Sequence, residues 1–373
     1  MTTDRVGLYV HIPFCVKKCN YCDFCSFSIS SVDWRESYID ELCREISSYK
    51  SRNIELDSIF FGGGTPTLLT TEEFSKIISA IKDSFSLLPD LEFTVESNPR
   101  TIDEEKLSCL VAQGVNRLSI GLQSIHENEQ KILGRIHNYQ DFLGSYNLAR
   151  RCGIKNINVD LMYGIPEQTI ESFTETLEAV CELNPEHISV YGLILEEGTP
   201  FYNIQGELNL PSEDAECDMY YLAAKKLSDR GYSHYEISNY ARAGYECRHN
   251  LKYWRCEEYI GVGVAAYSYF DKKRYGNTDN PKEYSPANCV KYTQVDRIDF
   301  DVEQYEYVML RLRLKEGFSL SDYMTRFQVD FRQGREKIIS RLESAGYISL
   351  KDDRVSLTEK GFYISNSILT ELI

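Results

Sequence analysis

Two hydrophobic periods alternate along the first half of the chain. Short apolar runs read as strands over 6–12 (VGLYVHI), 57–62 (DSIFFG), 91–96 (LEFTVE), 117–122 (RLSIGL), 156–162 (NINVDLM) and 187–193 (HISVYGL). Between them, amphipathic stretches read as helices near 33–50, 70–83, 102–113, 138–152 and 169–183. Thr70 with Glu73, and Thr101 with Glu104, stand at capping-box spacing. Six strands alternating with helices predict a parallel sheet with right-handed crossovers. Six units are too few for a closed eight-fold barrel. The expected fold is therefore α/β, an open partial (β/α)6 barrel.

The pattern changes further on. A helix is expected at 212–230, opened by Pro211 and Ser212. The stretch up to about 290 is rich in Tyr, Gly and Asn and shows little helical period. A linker is expected at 290–300. Helices at 301–314, 319–327 and 332–345, the hairpin YISL–KDDR–VSL and a last helix from Thr358 resemble a winged helix. The expected division is a barrel at 1–230, an extension at 231–295 and a helical, winged-helix-like domain at 296–373. Winged helices often bind DNA, but residues 301–373 hold 12 acidic and 11 basic side chains. That balance predicts a packing or partner-binding module instead.

Composition narrows the class of function. At 42% hydrophobic and 26% charged, the 373 residues suit a globular protein with a sizeable core. The 57 acidic against 41 basic residues give −16, which argues against nucleic acid as a partner. No apolar run of 18 residues and no signal-like N-terminus is seen, so a cytoplasmic location is expected. Twelve cysteines are many for a reducing compartment and suggest metal or redox chemistry. Eight are scattered singly, Cys289 among them, and read as small core residues. The other four, Cys15, Cys19, Cys22 and Cys25, fall within eleven residues.

Cys15, Cys19 and Cys22 form C-x3-C-x2-C in the loop after the first strand. Three thiolates so placed can hold three corners of a [4Fe–4S] cluster and leave one iron open to a small ligand. A structural zinc site with Cys25 as fourth ligand is the competing reading, but zinc sites prefer paired knuckles separated by a longer span. Gly62-Gly63-Gly64-Thr65-Pro66 follows the second strand, where consecutive glycines allow close approach of a ligand and offer N–H groups. Other strand ends are polar: Glu96, Gln123 and Asp160, with Arg135 beyond the fourth strand. Ligands of parallel α/β barrels sit at such ends, so these residues read as one site.

C-x3-C-x2-C with an aromatic before the third cysteine resembles the signature of the radical S-adenosylmethionine (SAM) superfamily. The resemblance implies that SAM chelates the open iron and is cleaved to a 5′-deoxyadenosyl radical. YVHIPFC, FFGGGTPT, IGLQS, LGRIH and NVDLMYGIP are similar, over nearly the whole chain, to the family of the oxygen-independent coproporphyrinogen III oxidase HemN and the haem chaperone HemW. By that resemblance Cys15, Cys19 and Cys22 hold the cluster, and Tyr9, Gly63, Gly64, Thr65, Glu96, Gln123, Arg135 and Asp160 contact SAM. Two features favour the chaperone branch. Only eight residues precede Tyr9, whereas the oxidases carry a longer extension. Phe24 stands where the oxidases have a cysteine. His249-Asn250-Leu251-Lys252-Tyr253-Trp254 resembles the haem-binding H-N-x-x-Y-W string of that branch, which implies His249 as a haem contact. Cys25 departs from both patterns, and Cys247 and Cys256 flank the string. The resemblance thus implies a [4Fe–4S] cluster, SAM and haem as cofactors. It implies apo-haemoproteins as recipients, with the membrane as one place of transfer, and it speaks against oxidase activity.

Overall fold

The structure is a computed structural model that describes residues 5–285, 296–297 and 300–373. The six expected strands are present: β1 (Val6–Ile12), β2 (Glu55–Gly63), β3 (Ser86–Ser97), β4 (Arg117–Gln123), β5 (Asn156–Tyr163) and β6 (His187–Gly192). They lie side by side in chain order, each parallel to the next. Helices α1 (Arg35–Ser47), α2 (Thr71–Ser84), α3 (Glu104–Gln113), α4 (Tyr139–Arg151) and α5 (Ile170–Leu183) link them, and α6 (Glu213–Asp229) follows β6. Thr70 and Glu73 close a capping box on α2. Thr101 does not cap α3: Asp103 accepts from Lys106 N there, and Thr101 donates to the Asn98 carbonyl at 2.7 Å. The cap sits two residues later because the chain first turns through Asn98–Thr101.

The stretch after α6 is more ordered than its composition suggests. It holds helix α7 (Arg248–Arg255) and a seventh strand, β7 (Tyr259–Val262), which pairs parallel to β1. Among the described residues the parallel part of the sheet therefore has seven strands, one more than expected. Antiparallel strands extend it on both sides to twelve. Cys289 lies outside the described residues; of the expected linker at 290–300 only 296–297 and 300 are described, and at the expected boundary Asp296–Arg297 pairs antiparallel with Lys273–Arg274. Helices Phe300–Arg311, Leu320–Phe327 and Glu336–Ser344, with a three-stranded sheet, form a second apolar core around Phe318, Tyr323 and Phe331. Among the described residues no helix is long and apolar enough to cross a membrane.

Alternation along the parallel strands sorts side chains to two faces. Leu8, Val10, Phe61, Phe93, Val95, Leu118, Ile120, Val159 and Ile188 point outward to the helices and are fully buried. Burying each contributes roughly 1.5–3 kcal/mol. The inward row is different. Tyr9, Phe60, Glu96, Arg117, Ser119, Asn158, Asp160, Ser189 and Tyr191 line one cavity of about 190 Å³ inside the barrel. Polar side chains thus run down the lumen, beyond the strand tips, beside the Tyr9, Phe60 and Tyr191 rings.

Candidate functional site

The mouth of the barrel is the end where the parallel strands finish. The cysteine loop leaves β1 there and is tied down by Asn20. Asn20 N–H donates to the Leu133 carbonyl (2.9 Å), its side-chain amide to Ile132 (2.9 Å), and its carbonyl accepts from Phe201 N–H (3.0 Å). Cys15, Cys19 and Cys22 are all half-buried free thiols on this loop. Burial raises the Cys15 thiol and pushes Cys22 up to about 11. Among the described residues no three His, Cys, Asp or Glu side chains converge as they would on a single metal ion. A cubane takes one thiolate at each of three irons, so its ligands stand farther apart than those of one ion. The all-sulfur donor set on a short anchored loop fits such a cluster, and loading would displace the thiol protons. Cys25 faces away, with Sγ 3.5 Å from the Asp279 carbonyl.

The glycine segment packs directly under this loop. Gly63 has φ +105°, and a Cβ there would stand 2.5 Å from the His11 ring. Its N–H donates to Glu96 Oε2 at 3.2 Å. Gly64 and Thr65 N–H groups donate to the Ile12 and Phe14 carbonyls at 2.8 and 2.7 Å. These N–H groups are thus used to hold the loop, contrary to the expectation that they face a ligand. A buried relay continues from the loop: Thr65 Oγ1 lies 3.7 Å from Cys15 Sγ and accepts from Asn98 Nδ2 at 2.8 Å. Asn98 Oδ1 in turn accepts from Arg135 Nη2 at 3.0 Å. Gln123 ends β4 at φ +71°, beside this arginine's anchor on the Gly121 carbonyl. Neither Asn20 nor Asn98 was expected from the sequence. Asn20 follows Cys19 by one position and Asn98 follows Glu96 by two, and that nearness is the signal for them.

Deeper in the lumen, Asp160 accepts from Ser119 Oγ (3.1 Å) and Asn158 Nδ2 (2.8 Å). Burial raises its carboxyl. Glu96 is pushed up to about 8, first by burial and then by Asp160. Tyr9 Oη lies 3.0 Å from His11 Nδ1, and burial raises its phenol.

His249 was expected as a haem contact in a segment outside the strand units. The structure places it at the base of the barrel, where His249, Asn250 and Tyr253 line the same cavity. Helix α7 plugs the floor, and Glu92 of β3 accepts from the N–H groups of Arg248 and His249, both at 3.0 Å. His249 is 1% exposed. Ser58 Oγ lies 2.9 Å from Nδ1 and Tyr253 Oη 2.9 Å from Nε2, so both ring nitrogens are engaged. The ring stacks on Phe60. Burial pushes its pKa down to about 3. Gly7 permits this fit: a Cβ there would stand 2.9 Å from Lys252.

Comparison with known proteins agrees with this layout. The radical SAM superfamily model matches residues 9–180, and the HemN C-terminal domain model matches 302–364. The haem chaperone HemW of Bacillus subtilis is 35% identical over 368 residues, covering 96% of this chain and 97% of that protein. The Escherichia coli protein of the same name is 33% identical, covering 98% and 97%. The chain belongs to the HemW-like family of radical SAM proteins. Among solved structures, the family's fold is shared with coproporphyrinogen III oxidase (HemN) from Escherichia coli, a radical SAM enzyme. It matches with a TM-score of 0.87 at 25% identity, covering 99% of this chain and 90% of that one. The α/β radical SAM fold and the HemN-type C-terminal domain are thereby established. Membership implies a [4Fe–4S] cluster and SAM.

Proposed function

We propose that this protein binds haem and passes it to apo-haemoproteins, with a cluster and SAM held at the barrel mouth. The carrying observation is end-to-end similarity, at 33–35% identity, to relatives named haem chaperones. In this reading Cys15, Cys19 and Cys22 hold the cluster. Tyr9, Gly63, Gly64, Thr65, Glu96, Gln123, Arg135 and Asp160 surround SAM. The bound pair would supply one-electron cleavage of a sulfonium. The chain's own residues orient it. Arg135, fixed by Asn98, presents its guanidinium to the SAM carboxylate. The SAM ammonium needs acceptors; Glu96 supplies them, and Asp160 accepts from ribose hydroxyls.

The macrocycle belongs at the mouth. Phe24 is 60% and Ile194 68% exposed, and Val16, Ile136 and Tyr191 are exposed too. Val16, Phe24, Ile136 and Ile194 follow the C-terminal ends of parallel strands and Tyr191 stands one residue before the end of β6, so they ring the same opening. An apolar rim of this kind suits a flat apolar ligand. The lumen of about 190 Å³ is too small for the macrocycle itself, since pockets for drug-sized ligands span roughly 300–1,000 Å³. His249, at the floor, then keeps its bonds to Ser58 and Tyr253 and does not ligate iron.

The second reading, oxidative decarboxylation of coproporphyrinogen III, is favoured by the fold shared with HemN. Incubating reconstituted protein with haem, and separately with coproporphyrinogen III plus SAM, separates the two. A shifted Soret band and transfer to an apo-haemoprotein, with no carbon dioxide released, is the expected result. SAM-dependent carbon dioxide release at turnover would replace the chaperone reading with the oxidase one.

A further inference from the structure

Among the described residues, one buried cation of the lumen has a donor without an acceptor and no ion pair of its own. Arg117 opens β4 and is 2% exposed. Its Nε is buried without a hydrogen-bond partner. Burial disfavours its charge, but Cys247, Glu92, Tyr235 and Asp160, acting through space, outweigh that and raise its pKa. Glu92 is occupied by the N-terminus of α7, and Asp160 by Ser119 and Asn158. The floor's other buried cation is treated differently: Lys252, also 2% exposed, pairs with Asp57 at 2.9 Å. A buried guanidinium N–H left without an acceptor is costly to a fold. It persists most readily where an anion arrives from outside.

The path for that anion is on hand. One continuous cavity joins Phe24 and Gly63 at the mouth to Arg117 at the floor. The Tyr9 and Phe60 rings line it, apolar enough for methylene groups. Glu96 and Asp160 also line it, each engaged with partners of its own: the Gly63 N–H for Glu96, and Ser119 and Asn158 for Asp160. Arginine is suited to paired hydrogen bonds with a carboxylate. We propose that Arg117 is a carboxylate receptor at the floor of the barrel, taking a propionate-type arm of the tetrapyrrole held at the mouth. This rests on the haem reading above. The SAM carboxylate is the other possible source, and the test separates them.

Reconstituted full-length wild type and Arg117→Met are titrated with haem, with haem dimethyl ester and with SAM. The wild type should bind haem about tenfold more tightly than the diester, the worth of one charged hydrogen bond. Arg117→Met should bind both porphyrins at the diester level while keeping its affinity for SAM. Equal wild-type affinity for haem and diester, or an unchanged preference in Arg117→Met, overturns the receptor and leaves the haem reading standing. Loss of SAM binding in step with haem assigns the carboxylate to SAM and overturns the proposal. If the wild type binds neither porphyrin, the haem reading fails by itself. The receptor is then judged by whether propionate raises the melting temperature of wild type and not of Arg117→Met; no such rise removes it too. The melting temperature of Arg117→Met is read alongside, because the through-space attraction of Glu92 and Asp160 is removed with the charge. Should it fail to fold, Arg117→Lys and the wild-type haem-to-diester ratio carry the same test.

Discussion

The mouth and the floor of this barrel carry motifs of similar appearance, each mixing chemistry-bearing side chains with aromatics. Their surroundings differ. At the mouth, three cysteines stay half-buried on a loop anchored by Asn20, and apolar side chains remain exposed beside them. At the floor, Glu92, His249 and Lys252 direct their polar atoms to neighbours, and α7 seals the end. A histidine between aromatic rings is therefore not a ligand by virtue of its motif. What decides is whether a ring nitrogen is free.

The hardest test of that contrast is the cluster. Cys15→Ala, Cys19→Ala and Cys22→Ala should each lose the iron and sulfide retained by wild type after anaerobic reconstitution. Cys25→Ala should keep them, and iron lost from Cys25→Ala would mean a four-cysteine site. Next in size is SAM binding. Arg135→Ala should weaken it by one to two orders of magnitude, the worth of about 1.5–3 kcal/mol in a charged hydrogen bond, with iron content unchanged. SAM affinity should also rise from pH 6 to 8, because Glu96 must lose its proton to receive an ammonium and its pKa is near 8. A flat profile would take Glu96 out of that role.

At the floor the expected effects are on stability. His249→Ala leaves Ser58 and Tyr253 without their partner and should cost about 3 kcal/mol in urea unfolding. His249→Gln, which keeps hydrogen-bonding groups, should leave the haem Soret band where it is in wild type. A band that moves in His249→Gln would return the imidazole to the iron. A separate effect is in acid. The folded ring resists protonation down to about pH 3, whereas the unfolded ring takes a proton near 6.5. Stability from this group is complete above pH 6.5 and is lost as pH falls towards 3, by about 1.4 kcal/mol per pH unit. His249→Gln should show an acid limb shallower by one proton.

The barrel was legible because its outward rows are apolar at strict alternation and its helices carry stripes. The cysteine motif was legible because its spacing is compact. β7 was hidden: Tyr-Ile-Gly-Val is too short and glycine-rich to declare a strand, and it gains stability only by docking beside β1. Helix α7 was hidden because its eight residues are mostly polar, and Glu92, distant in sequence, supplies the cap. The lumen was half seen. Glu96, Gln123 and Asp160 stand near strand tips, where polarity invites a functional reading. Arg117 opens a strand, where a charge reads as a solvent-exposed end. Only parity with Ser119, Gly121 and Gln123, once the sheet curls, turns it inward.

The pairing of β7 with β1 also bears on how the chain matures as it is made. Gly7 and Tyr259 are register partners, so roughly 250 residues leave the ribosome before the first strand acquires its second neighbour. At ~5–20 residues per second that is about 10–50 seconds. Throughout that interval β1 is an open sheet edge, a hazard for pairing with other chains. The loop with Cys15, Cys19 and Cys22 hangs from its end. The floor helix arrives only just before β7. Iron loaded during synthesis would enter a barrel still open at its base, and nascent chains halted before residue 259 should expose both the edge and the lumen to chaperones and proteases.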